Sequence, residues 1–283
     1  MLGTLAQIAG GSIDKPDDPP VLTKPDTRSV LRCTLEHLDA MPTYSPIIEL
    51  RQYTLRPGTR DTMIALFDRE FVETQEATGM KIIGQFRDLD DPNQFVWLRG
   101  FDDMAARRNA LTAFYDDGTV WKEHRDAARA TMVDTNNAIL LRPAREGSGF
   151  ELPDGDRAPR DASDAPDAPA RGLLSGTLLS LDAPIDSAYL DFFERELEPV
   201  LNDCGASMAA VLVSEESPNT YPPLPVREGN WFAWFSRFPD HAAHEAYLAA
   251  LEQSPRRHVF GRHAVGKPQV LRLAPTARSL LRG

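Results

Sequence analysis

The stretch IALFDREFVETQEATG, residues 64–79, is followed 126 positions later by LDFFERELEPVLNDCG, residues 190–205. Phe67-Asp68-Arg69-Glu70-Phe71 falls on Phe193-Glu194-Arg195-Glu196-Leu197, and Gly79 falls on Gly205. Apolar side chains at helical spacing that stop at a glycine read as an amphipathic helix. Two such helices in one register make the chain a tandem duplication, and the duplication decides the fold.

Outward from the first copy, IIELRQYTL (Ile47 to Leu55) reads as a strand ended by the turn chemistry of RPG. MKIIGQFRD and NQFVWLRGF read as two strands joined by DLDDPN, and DDMAARRNALTAF opens on acidic residues and reads as a helix. Residues 120–132 read as a further helix and residues 138–142 as an apolar closing strand. The order is β-α-β-β-α-β, the ferredoxin-like pattern. Past the hairpin, Phe95, Trp97, Phe101 and Asp103 match Phe232, Trp234, Phe238 and Asp240 at an offset of 137. The added residues fall in SEESPNTYPPLPVREGN, which reads as a loop insertion. The closing strands ILLRPAR and VLRLAPTAR align at about 130, so the second copy is shortened near its second helix.

The expected fold is α+β: two tandem ferredoxin-like repeats whose antiparallel sheets pack face to face as an intrachain α/β barrel, each covering the other's bare face. The expected boundaries are a flexible arm over residues 1–45, a first repeat over 46–143, a disordered Ala/Asp/Pro-rich linker over 144–171, a second, degenerate repeat over 172–275 and a tail over 276–283. The polar residues on one alternating face of the first-repeat strands, Glu49, Arg51 and Tyr53 with Lys81, Gln85, Arg87 and Arg99, predict a polar pocket in the space between the sheets.

A net charge of -11 disfavours nucleic acid as a partner. Cys33 and Cys204 lie far apart with no CxxC, so neither a disulfide framework nor a zinc site is expected, and a reducing, cytoplasmic setting fits. MLGTLAQIAGG has no basic start and a short apolar run, and no segment reaches the roughly 18 to 20 apolar residues that span a bilayer, so no membrane association is expected. No phosphate-cradling glycine loop, nucleophile elbow or HExxH is present, which disfavours the common nucleotide and hydrolase classes.

ELRQYTLRPG, the helix after it, FVWLRGFDD and the Trp121 tract ending in ILLRPA resemble the NIPSNAP family, a branch of the dimeric α/β-barrel superfamily. In the second repeat LRPG is replaced by DAPI and Trp121 has no counterpart. The resemblance implies the ferredoxin-like barrel and self-association as a homo-oligomer. Relatives in the wider superfamily include cofactor-free oxygenases, polyketide cyclases and haem enzymes such as chlorite dismutases and aldoxime dehydratases.

The leading expectation is a pocket in the first repeat that binds a small aromatic, quinone-like or polyketide-like ligand without a cofactor, as a cofactor-free oxygenase, cyclase or isomerase. His124, three residues after Trp121 on the same helix face, is the candidate base, and the competing reading makes it a structural histidine of an amphipathic helix. Tyr53 is the second candidate catalytic group; Arg51 and Arg99 would hold a carboxylate or oxyanion, with Trp121, Gln85 and Glu49 also lining the site. Glu49 can equally be a structural ion-pair partner. His241 and His244 share a helix face, but no third ligand is evident, so they read as a solvated face and no metal is expected. His258 or His263 as a haem ligand is the remote reading. The reading from a different class is a non-catalytic scaffold that meets a protein partner through its acidic linker or arm.

Overall fold

The computed structural model describes residues 45–152, 157–162, 172–256 and 267–283. Strands β1 (Ile47–Leu55), β2 (Lys81–Asp88), β3 (Gln94–Phe101), β4 (Met132–Pro143), β5 (Leu173–Leu181), β6 (Ser207–Ser214), β7 (Asn230–Phe238) and β8 (Gln269–Pro275) close into a barrel in the order β1-β3-β2-β8-β5-β7-β6-β4. Each repeat supplies one antiparallel run, β4-β1-β3-β2 and β8-β5-β7-β6, in the same internal order. Ile47 stands opposite Phe101 and Leu173 opposite Phe238, so the two offsets in the sequence are the offsets of the two ladders. The seams between repeats are short, residues 86–88 against 273–275 and 141–143 against 212–214.

In the first repeat, α1 (Arg60–Leu66) runs through a π-helical turn, Phe67–Phe71, into α2 (Val72–Glu76). Then α3 (Met104–Leu111) runs through a second π-helical stretch, Thr112–Asp117, and α4 (Thr119–Thr131) follows. The second repeat has α5 (Ser187–Phe192), a π-helical turn at Phe193–Leu197, α6 (Glu198–Asp203) and α7 (His241–Gln253). The duplicated pentapeptide is therefore π-helical in both copies, a detail that the apolar spacing did not carry. Gly79 and Gly205, at φ +95° and +105°, turn the chain out of the paired helices in a conformation that L side chains resist. Asp103 accepts from the Ala106 amide and Asp240 from the Ala243 amide, which starts α3 and α7 in the same way.

Two expectations change. β4 begins at Met132, directly where α4 ends, because the polar residues before Ala138 pair with the end of β1, Leu55 facing Met132 across bulges. The space between the sheets is apolar: Ile48, Leu50, Phe86, Leu98, Ile139, Leu174, Leu212, Phe235 and Leu273 form one buried cluster drawn from all eight strands. A polar link within it joins β1 to β8, strands that are not neighbours in the barrel, where Gln269 Nε2 donates to Gln52 Oε1 at 2.8 Å. The polar face of β1 and β3 turns the other way, toward the helices, and shares that layer with Tyr53, Phe67, Phe71, Trp97 and Leu111.

The stretch that reads as a linker and the tail both touch the barrel where they are described. Phe150 is 1% exposed, packs on Phe235 at 5.1 Å between ring centroids, and belongs to the barrel interior. Arg157 donates to Glu76 Oε1 at 2.6 Å and to the Ile82 carbonyl at 2.8 Å. Arg278 pairs with Glu73, and Leu281 is fully buried in the interior cluster. Among the described residues no helix is long and apolar enough to cross a membrane.

Candidate functional site

Glu49 and Arg99 are directly opposite in the β1–β3 ladder, where side chains on one face approach closely. Arg51 lies two residues along β1 on the same face, and Arg107 descends from the first turns of α3, placed there by the Asp103 cap. All four side chains are fully buried. Arg51 Nη1 and Arg99 Nη2 donate to Glu49 Oε1 at 2.5 and 2.7 Å, and Arg107 Nε donates to Oε2 at 2.9 Å.

Surrounding groups orient the guanidiniums. Arg51 donates to the Thr135 carbonyl at 2.9 Å and to the Tyr53 hydroxyl at 3.3 Å. Arg99 donates to Gln75 Oε1 at 3.2 Å and to the Tyr115 hydroxyl at 3.5 Å, and lies 4.9 Å from the Trp97 ring centre. Tyr115 is carried by the π-helical stretch Thr112–Asp117, for which the continuous α7 offers no counterpart. Arg107 Nη1 donates to Asn219 Oδ1 at 2.9 Å, so the inserted loop of the second repeat reaches into the first. The Tyr221 hydroxyl donates to Asp116 at 2.8 Å, and its ring stacks on Tyr115 at 6.3 Å.

One carboxylate and three guanidiniums leave a surplus of two positive charges in a fully buried box, since arginine stays protonated. Burial alone would raise the Glu49 carboxyl, but attraction to Arg99, Arg51 and Arg107 outweighs it and holds the group far below the usual carboxylate range. Arg51 and Arg99 are raised against the pull of burial by neighbours that include Glu49. Arg107 is lowered, because burial exceeds what Glu49 returns. Arg107 Nη2, Arg99 Nε and the Trp97 indole N–H are buried with no hydrogen-bond partner among the described residues. Unmatched charge and unmatched donors thus coincide at Arg107 and Arg99.

The structure brings together Glu49, Arg51, Tyr53 and Arg99 of the residues marked in the sequence. Trp121 stands next to the box through Tyr115, with ring centres 5.0 Å apart. Gln85 is buried and donates to Asp68 Oδ1 at 3.1 Å, not to the box. His124 is partly exposed beside Phe71, with the carboxylates of Glu70 at 3.7 Å and Glu123 at 4.0 Å from its Nε2. Arg107, Gln75, Tyr115 and Asn219 were missed. The signal for Arg107 was its place four residues after a capping Asp103, one helical turn in.

The other histidines separate. His241 is exposed and faces Glu245 at 3.6 Å, whereas His244 is fully buried on Phe238, so the pair is not one solvated face. His258 and His263 lie outside the described residues. Among the described residues no group of three or more His, Cys, Asp or Glu side chains could hold a metal ion.

Residues 48–145, which carry the whole box, match the family model described as NIPSNAP. The first repeat is a NIPSNAP domain. The NIPSNAP match ends two residues past β4 and leaves the second repeat outside it. A candidate monooxygenase from Fusobacterium nucleatum superposes at a TM-score of 0.50 with 9% identity, over 84% of this chain and 94% of its own, which shows the fold. An uncharacterised NIPSNAP-like domain protein from Burkholderia xenovorans is 27% identical over 38% of this chain and 91% of its own, at a TM-score of 0.33. A NIPSNAP family protein from Agrobacterium tumefaciens is 19% identical over 35% of this chain and 92% of its own, at 0.32. No curated protein matches the chain.

Proposed function

We propose that the NIPSNAP half is a small-molecule site for the anionic form of a planar aromatic ligand, quinone-like or polyketide-like. Its chemistry is stabilisation of an enolate or phenolate, as an isomerase, cyclase or cofactor-free oxygenase requires. What carries this is the charge balance, three fully buried arginines on one carboxylate, two of them with N–H groups that find no partner among the described residues. A buried surplus of positive charge is costly when left alone and is relieved by an anion. Donors fixed in a dry site stabilise developing negative charge more strongly than donors in water.

In this scheme Arg99 and Arg107 receive the oxyanion. Glu49 sets the spacing of the guanidiniums, and the Tyr53 hydroxyl orients Arg51. Tyr115, Trp121 and Tyr221 offer aromatic surface to the ring system, and the loop that carries Asn219 and Tyr221 covers the box. His124 holds no assigned step, because its imidazole lies beside Glu70, 3.7 Å away, and not at the box.

Titration of the full chain with 2-naphthoate, followed calorimetrically, tests the proposal. Saturable binding is expected, and Arg107→Met should weaken it about a hundredfold, while Arg107→Lys retains part of it. Circular dichroism checks that each variant folds. Absence of naphthoate binding, or equal affinity in wild type and Arg107→Met, overturns the proposal.

A further inference from the structure

The ladder offsets place Ser175, Thr177, Ser236 and His244 of the second repeat where the first has Glu49, Arg51, Arg99 and Arg107. Every charged member of the box is replaced, and three of the four replacements are much smaller. The sheet is kept, as are the helices that correspond to α1, α2 and α3. Trp234 stands in the place of Trp97, with Phe232 and Phe238 in the places of Phe95 and Phe101.

Beside Ser175 and Thr177 the lost volume is left open among the described residues. Between β5, β7, α5, α7 and the start of β8 lies a cavity of about 170 Å³. Ser175 and Thr177 present its polar wall, and Tyr189, Trp234, Tyr247 and Leu251 much of its apolar wall. None of the lining residues is charged. Burial pushes the Tyr189 and Tyr247 phenols up to about 12, so both stay neutral at physiological pH. The cavity opens to solvent past Leu248 and Val270, and an apolar space of about 150 Å³ is the size that takes one benzene ring.

We infer that the second repeat holds its own ligand site, for a compact, uncharged molecule with one aromatic ring and one hydroxyl or amine group. The ring occupies the space between Trp234, Tyr189 and Tyr247, where aromatic edges and faces meet it. The polar group meets the Ser175 and Thr177 hydroxyls, each of which donates or accepts. A carboxylate is excluded, since the second repeat has lost the arginines that would balance it. The two repeats thus bind different charge states of aromatic ligands at equivalent positions. This site does not depend on the function proposed for the NIPSNAP half.

Phenol is the probe, titrated into the full chain and followed by ligand-observed NMR and by tryptophan fluorescence. Phenol is expected to bind saturably, and Ser175→Leu, which fills the floor of the cavity, should weaken it about tenfold or more. Leu251→Trp fills the same cavity from α7 and should do the same, which covers the case where one variant fails to fold. Naphthoate, too large for a one-ring void, should not compete with phenol. Absence of phenol binding, or unchanged affinity in the folded variants, overturns the inference. Phenol binding without naphthoate binding leaves this site standing and removes the function proposed for the first repeat; the converse result removes only this site.

Discussion

Arg99 donates to Glu49 Oε1 at 2.7 Å from the position directly opposite it in the β1–β3 ladder, and neither side chain has any exposure. Arg51 shares the same oxygen and Arg107 takes the other, so a single carboxylate sets the geometry of three cations. Glu49→Gln keeps the shape and removes the charge. With three guanidiniums left buried on a neutral amide, it should cost about 3–5 kcal/mol in urea unfolding. A loss below about 1 kcal/mol, the range of an exposed pair, would mean that the box opens to water in solution.

The carboxyl is also the reason for an acid limit. Glu49 is lowered in the folded state, so its contribution is present above its ordinary value of 4.5 and disappears only as pH falls through the much lower folded value. Unfolding curves for wild type and Glu49→Gln should therefore stay separated from neutral pH down to about 4.5 and converge only in stronger acid. Convergence already at neutral pH would contradict the ion pairs.

Asn219 ties the inserted loop of the second repeat to Arg107 of the first at 2.9 Å. Asn219→Ala leaves Arg107 Nη1 with only the longer contact to the Thr220 hydroxyl, at 3.5 Å, and should cost about 1–3 kcal/mol. Hydrogen exchange should show faster opening of α3 in the same variant. An effect confined to the loop would mean that the two repeats do not share this contact in solution.

The barrel was legible because a duplication leaves its register in the sequence. The offsets of 126 and 137 are those that place Ile47 against Phe101 and Leu173 against Phe238. The direction of the polar face was not legible. Alternation separates Glu49 and Arg51 from Ile48 and Leu50, but a strand buried on both sides does not say which face the helices take. What decides it is Arg107, 58 positions away in the chain, and its own partner Asn219 lies a further 112 positions on. Contacts at such separations exist only once the barrel is closed.

Phe150 and Leu152 are the large apolar residues in a stretch otherwise composed of small, polar and proline residues, and composition alone hides what Phe150 does. It is buried in the barrel interior against Phe235. Phe150→Ala should cost about 3–5 kcal/mol, as truncation of a core phenylalanine does. A chain with that substitution that unfolds like wild type would place the segment outside the cooperative unit.

His244 occupies the position of Arg107 but has no counterpart to Glu49, and both of its ring nitrogens are buried without a hydrogen-bond partner among the described residues. Burial lowers its affinity for a proton most and Arg272 on β8 adds to it; Glu245 opposes them, and His241 on α7 and Asp90 add smaller effects of opposite sign. The folded value therefore lies below the ordinary 6.5. Above 6.5 the imidazole is neutral in both states and stability does not depend on it. As pH falls below 6.5, the unfolded chain takes up a proton that the folded chain refuses, and stability drops by up to about 1.4 kcal/mol per pH unit until the folded value is reached. His244→Phe keeps the ring against Phe238 and Tyr247 and removes the proton site. The difference in unfolding free energy between His244→Phe and wild type should be constant above pH 6.5 and should grow in favour of the variant below it. A difference that stays flat from pH 7.5 to 5 would mean that the imidazole finds a partner or reaches water in solution, and that the second repeat is less dry than the burial of His244 indicates.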